Sequence, residues 1–118
     1  MDNITILTDW PQPAGVPEPQ VFADDLRLVV RCSTPDDAVA IITFPLAHVF
    51  QFGSPNDEAL GGHPLYGNGL KFYSVHRVDE SSWIHELEKR NSVHPQHDRK
   101  RFVEDKVHYI FTFHDSTL

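Results

Sequence analysis

The sequence predicts an α+β fold, a mainly antiparallel sheet of about five strands with one main helix packed on one face. Three observations carry that expectation. Apolar and polar residues alternate over 26–32, 70–78 and 108–114, the period of a half-buried strand. The period lengthens to that of a helix over 79–91. The connections between the alternating runs are rich in proline, aspartate, asparagine and glycine, so neighbouring strands reverse direction through turns. With 118 residues, 40% of them hydrophobic, the chain has the size and composition of one globular unit.

Taken in order, the N-terminal stretch comes first. Four of the nine prolines fall in WPQPAGVPEP (10–19), where fixed φ angles and missing N–H donors disfavour helix interiors and central strands. Residues 1–25 are therefore expected as an extended proline-rich arm, and 26–118 as a single α+β domain. The ring of Trp10 gives the arm something with which to anchor on the domain's own surface.

LRLVVRC (26–32) places Leu28, Val30 and Cys32 on one face and Arg27, Val29 and Arg31 on the other, so Cys32 belongs to the core. STPDD supplies turn chemistry, and AVAIITF (38–44) is the apolar partner strand of a hairpin. After Pro45, LAHVFQF (46–52) is expected to resume as a third strand, with His48 half-buried. GSPNDE (53–58) turns the chain, and ALGGHPLYGNGL (59–70) concentrates four of the six glycines, with Asn68-Gly69 signalling a tight hairpin turn.

LKFYSVHRV (70–78) reads as a strand. In DESSWIHELEKRN (79–91), Trp83, Ile84 and Leu87 form a helical stripe, Asp79 or Ser81 can cap it, His85 faces solvent, and Glu86 stands four residues before Arg90. Asn91 can end this helix in the left-handed region. Beyond Pro95, Asp98 can cap a further helical turn. In the last run, Tyr109, Phe111 and Phe113 share the core face, while His108, Ile110, Thr112 and His114 share the other.

Charge and composition exclude several functions. The net charge is −7, and residues 1–60 hold nine acidic against two basic side chains, which argues against general nucleic-acid binding. The basic run HDRKR (97–101) is a solvated face. No stretch approaches the roughly 20 apolar residues of a membrane span, and MDNITILTDWPQP lacks the basic flank and apolar run of a signal peptide. The single cysteine suits a reducing compartment, so a soluble cytoplasmic protein is expected. The chain ends on an apolar strand residue, Leu118, and the strand is expected to continue in a longer context.

Eight histidines make chemistry worth seeking, because imidazole titrates near neutral pH and ligates metals. His108 and His114, six residues apart on one strand, lie about 20 Å from each other and cannot share an ion. A structural zinc would need thiolates beyond Cys32 that the chain lacks; His63, Asp57 or Glu58 and a strand histidine could form a nitrogen and oxygen site, but no metal is assigned and the cofactor is unknown. Walker, dinucleotide, zincin and nucleophile-elbow motifs are absent. The string His114-Asp115-Ser116 sends consecutive side chains to opposite faces.

The stretch PNDEALGGHPLYGNGLKFY remains. It can plug the end of the core through Pro64, Leu65 and Tyr66. It can also build a small-molecule site on a rigid sheet. In that site His63 and His114 are the candidate catalytic residues, His63 as general base or hydrogen-bond donor. Asp57 or Glu58 orients His63, Tyr66 stacks or donates, and His108 and Thr112 complete a ligand-binding floor. The competing expectation is a non-enzymatic acidic interaction module that uses the N-terminal arm and a sheet edge to bind a protein partner or a second copy of the chain.

Overall fold

Two antiparallel sheets of three strands each face one another across the core, where the sequence suggests one sheet of five. The structure is a computed structural model describing residues 2–14, 19–54, 56, 59–113 and 116–118. Its strands are β1 (Asn3–Ile6), β2 (Gln20–Ala23), β3 (Arg27–Ser33), β4 (Val39–Pro45), β5 (Val75–Asp79) and β6 (His108–Phe111), and its α-helices are α1 (Ser82–Asn91) and α2 (Arg99–Glu104). One sheet has the order β2-β3-β4 and the other β1-β5-β6. The difference from a single sheet is physical. Alternation fixes which residues share a face, but not which strands are neighbours.

The β3–β4 hairpin forms as its pattern dictates, with Val30 opposite Ile42 and Cys32 opposite Ala40. Asp37 takes the left-handed conformation, φ 63°, at the end of its turn. Val30, Cys32 and Ala40 pack from this sheet against Val75, Phe111 and Phe113 from the other, which seats Cys32 in the core. Burial raises the Cys32 thiol pKa and keeps it a protonated apolar group.

Of the stretch expected as an arm, residues 2–14 and 19–25 supply β1 and β2, while residues 1 and 15–18 lie outside the described residues. β1 pairs with β5, placing Ile4 opposite Val78, and β2 pairs with β3. Trp10 sits among Phe44, Tyr109 and Phe111, with ring centroids 6.3, 5.1 and 6.5 Å away. Gln12 ties the same stretch to β5: its amide donates to Leu7 O (2.6 Å) and Trp10 O (2.7 Å), and its carbonyl accepts from Val75 N (2.9 Å).

The third strand expected at 46–52 does not form. Pro45 closes β4, Leu46 turns into the left-handed region at φ 53°, and the chain leaves the sheet as an irregular segment. That segment is anchored at its far end. Residues 116–118 return beside 111–113, with Phe111 and Leu118 exchanging both backbone hydrogen bonds, and Gly53 pairs with Thr117.

The strand expected at 70–78 is confined to β5, because 59–70 folds into two single-turn 3-10 helices, Leu60–Gly62 and Tyr66–Asn68. Gly69, left-handed at φ 113°, closes the second in place of a two-residue hairpin turn. Leu60, Leu65 and Leu70 then cover Ile4, Val78 and Ile110 on the face of the β1-β5-β6 sheet that points away from its partner. At α1, Ser81 caps the first turn by accepting from Ile84 N (3.2 Å). Its C-cap, Ser92, is right-handed, and Asn91, the last helical residue, is not left-handed either. Asp98 caps α2 through Arg101 N (3.2 Å).

Candidate functional site

His108 opens β6, and its ring is held on two sides. Its Nδ1 lies 2.7 Å from Ser81 Oγ, and its plane meets the Trp83 ring edge-on at a centroid distance of 5.0 Å. The Ser81 hydroxyl accepts from Ile84 N and keeps both its own proton and a second lone pair, either of which can meet Nδ1. When the hydroxyl donates, neutral His108 carries its ring proton on Nε2.

Three influences set its titration. Burial pushes the His108 pKa down, the Asp2 carboxylate opposes that, and His63 reinforces it, since a charge on one imidazole disfavours a charge on the other. Asp2 itself reaches α1 from the far end of the chain. Ser82 N donates to its Oδ1 at 2.6 Å and Ser82 Oγ to its Oδ2 at 2.8 Å. Burial works against the carboxylate, but these bonds outweigh it and hold Asp2 below the usual range. The negative charge at the start of α1 is thus a residue remote in sequence.

His63 follows the first 3-10 turn. Its Nδ1 accepts from Leu65 N (3.0 Å), which leaves Nε2 as the protonated nitrogen of the neutral ring. Burial lowers its pKa as well. Two imidazoles with lowered pKa values therefore stand near each other, each with Nδ1 engaged by the protein, and in His63 the proton of the neutral ring is on Nε2.

Both line a mostly apolar cavity of about 920 Å³. One wall, 44–54, runs from the end of β4 into the irregular segment after it, which brings Leu46, Val49, Phe50 and Phe52. The opposite wall comes from Trp83, Ile84 and Leu87 of α1 with His108 and Ile110 of β6, and Ala59, Gly62, His63 and Leu65 close one end. The 44–54 wall is tied down by ring contacts, His48 to Phe102 of α2 at 5.4 Å and Phe52 to Phe113 at 6.5 Å. What burial His48 has, together with the nearby Lys106 ammonium, lowers its pKa.

The other residues singled out by the sequence have different places. Thr112 is fully buried; its Oγ1 donates to Lys71 O (2.7 Å) and accepts from Ser74 N (2.9 Å), stapling the turn before β5. Tyr66 is exposed outside the cavity, its ring 6.4 Å from that of Phe72. Asp57, Glu58 and His114 lie outside the described residues. The structure therefore brings together His63 and His108, and adds Ser81, Trp83 and the 44–54 wall. Sequence signals for these additions were present only as a helix cap, a helical stripe and an apolar run.

Among the described residues no group of three or more histidine, cysteine, aspartate or glutamate side chains is arranged to hold a metal ion. None of their helices is long and apolar enough to cross a membrane. Compared with protein-family models, with curated proteins and with solved structures, the chain has no match.

Proposed function

We propose that this protein binds a small, largely apolar molecule in the cavity between the 44–54 segment and the His63/His108 wall. The observation that carries the reading is the cavity itself. At about 920 Å³ it falls in the range of roughly 300–1,000 Å³ typical of ligand sites, and its apolar walls converge on a few polar groups, as such sites do. The half-exposed apolar side chains of that wall add support: Phe50 and Phe52 remain 41% and 44% accessible, and an occupant would cover them.

The uncharged fluorophore N-phenyl-1-naphthylamine tests this. A saturable fluorescence rise, with one probe per chain and abolished in Ala47→Trp, is the expected result; Ala47 lines the cavity from an exposed position, so the indole fills space without entering the core. Absence of binding, or equal binding to a folded Ala47→Trp variant, contradicts the proposal.

A further inference from the structure

Resting on that reading, we infer that the molecule carries an sp² oxygen acceptor, a carboxylate or a carbonyl, at one end of an apolar body, and that the Nε2–H groups of His63 and His108 hold this oxygen.

The argument is one of hydrogen-bond inventory. The Nδ1 atoms of both rings are committed to protein partners, Leu65 N at 3.0 Å and Ser81 Oγ at 2.7 Å. In neutral His63 the second nitrogen must then be a donor, and in His108 it is the donor when Ser81 Oγ donates to Nδ1, the tautomer we assign. Two N–H donors lining one mostly apolar cavity are both met by an acceptor with two lone pairs, which an sp² oxygen supplies. An ammonium or other donor-only group would face N–H against N–H, and a hydrocarbon would leave both donors without a partner in an apolar site.

The remaining charges near the wall do not alter the choice. Lys106 lines the cavity but its ammonium sits 4.5 Å from the centroid of the Phe102 ring, and Asp105 beside it carries the opposite charge. The head group is therefore read by the imidazoles. Ser81 is a positioning residue: by donating to Nδ1, its hydroxyl would set the tautomer of His108 that donates from Nε2.

The two sources of such an oxygen separate by proton bookkeeping. A carboxylate entering beside two imidazoles favours their charged form, so it draws a proton from buffer on binding; a ketone does not. Calorimetry on the full chain at pH 7 with octanoate, 2-octanone and octylamine, in two buffers of different ionisation enthalpy, reads both properties. The expected result is that octanoate or 2-octanone binds about tenfold or more tightly than octylamine, close to the worth of one good hydrogen bond, and that His63→Leu or His108→Leu removes the advantage. Buffer-dependent heat with octanoate assigns a carboxylate; buffer-independent heat with 2-octanone assigns a carbonyl. Should either variant fail to fold, the wild-type ranking still decides. Equal affinity for all three compounds overturns the head-group assignment while leaving the cavity occupied; no binding of any of them overturns both.

Discussion

Ser81 Oγ stands 2.7 Å from His108 Nδ1 while accepting from Ile84 N at 3.2 Å, so one buried hydroxyl both caps α1 and orients an imidazole of β6. Ser81→Ala removes both functions. Unfolding in urea is expected to show a loss of about 1 kcal/mol, the usual worth of an N-cap. Long-range proton–nitrogen spectra should show His108 shifting from the Nε2–H tautomer toward a mixture, with Ser81→Thr restoring it. An unchanged tautomer in Ser81→Ala would show that the hydroxyl does not set it.

Acid should destabilise the fold early. His76 is fully buried, with Nε2 accepting from Lys71 N (3.0 Å) and Nδ1 donating to Ile110 O (3.0 Å), an arrangement only the neutral ring can make. Burial lowers its pKa against the opposing Ile110 bond, and burial also lowers those of His48, His63 and His108. Each folded value lies below the unfolded one, so the unfolded chain binds more protons. The stability these rings contribute is complete above the unfolded pKa of about 6.5 and is lost as pH falls through the lowered folded values. Urea midpoints measured from pH 8 to pH 5 should fall below about pH 6.5. His76→Gln should cost about 1–3 kcal/mol at pH 8 and flatten that slope.

Glu88 and His97 form a largely buried contact of 2.9 Å between α1 and the loop leading to α2, with side chains 10% and 11% exposed. Asn91 Nδ2 meets the other ring nitrogen at 2.9 Å. Glu88→Ala leaves His97 Nε2 unpaired and is expected to destabilise the fold by about 1–3 kcal/mol. A double-mutant cycle with His97→Ala should recover a coupling of at least about 0.5 kcal/mol; additive losses would mean the contact contributes nothing.

Asp37, left-handed at φ 63° in the β3–β4 turn, holds a conformation that costs glycine nothing. Asp37→Gly should alter stability by no more than about 1 kcal/mol, with relief of strain offset by added freedom of the unfolded chain, whereas the β-branched Asp37→Val should lower it more. Thermal midpoints of the two variants provide the comparison.

Local patterns proved readable wherever the interaction is local. The β3–β4 alternation, the Ser81 and Asp98 caps, and the Glu86–Arg90 ion pair, 3.6 Å in the structure, all depend on residues a few positions apart. Sheet partnership does not. NITI in β1 is only four residues long, and its pairing with β5, 70 or more positions on, makes it a strand. LAHVFQF has strand composition, yet Pro45 and the left-handed Leu46 turn it into a cavity wall.

The same divide runs through the site. His63 and His108 could be chosen from residue type and loop character. The roles of Ser81 and Trp83 depend on contacts 25 or more positions away, and the buried bonds of Thr112 become visible only once the 71–74 turn is in place.

The most direct test of the central claim is an NMR titration of the isotope-labelled chain with octanoate and 2-octanone. The account predicts that the Nε2 signals of His63 and His108 move together and saturate, and that ligand methylene protons give cross-peaks to Leu87, Ile110 and Trp83. Ring signals that stay fixed, or cross-peaks confined to side chains outside the cavity, would contradict it.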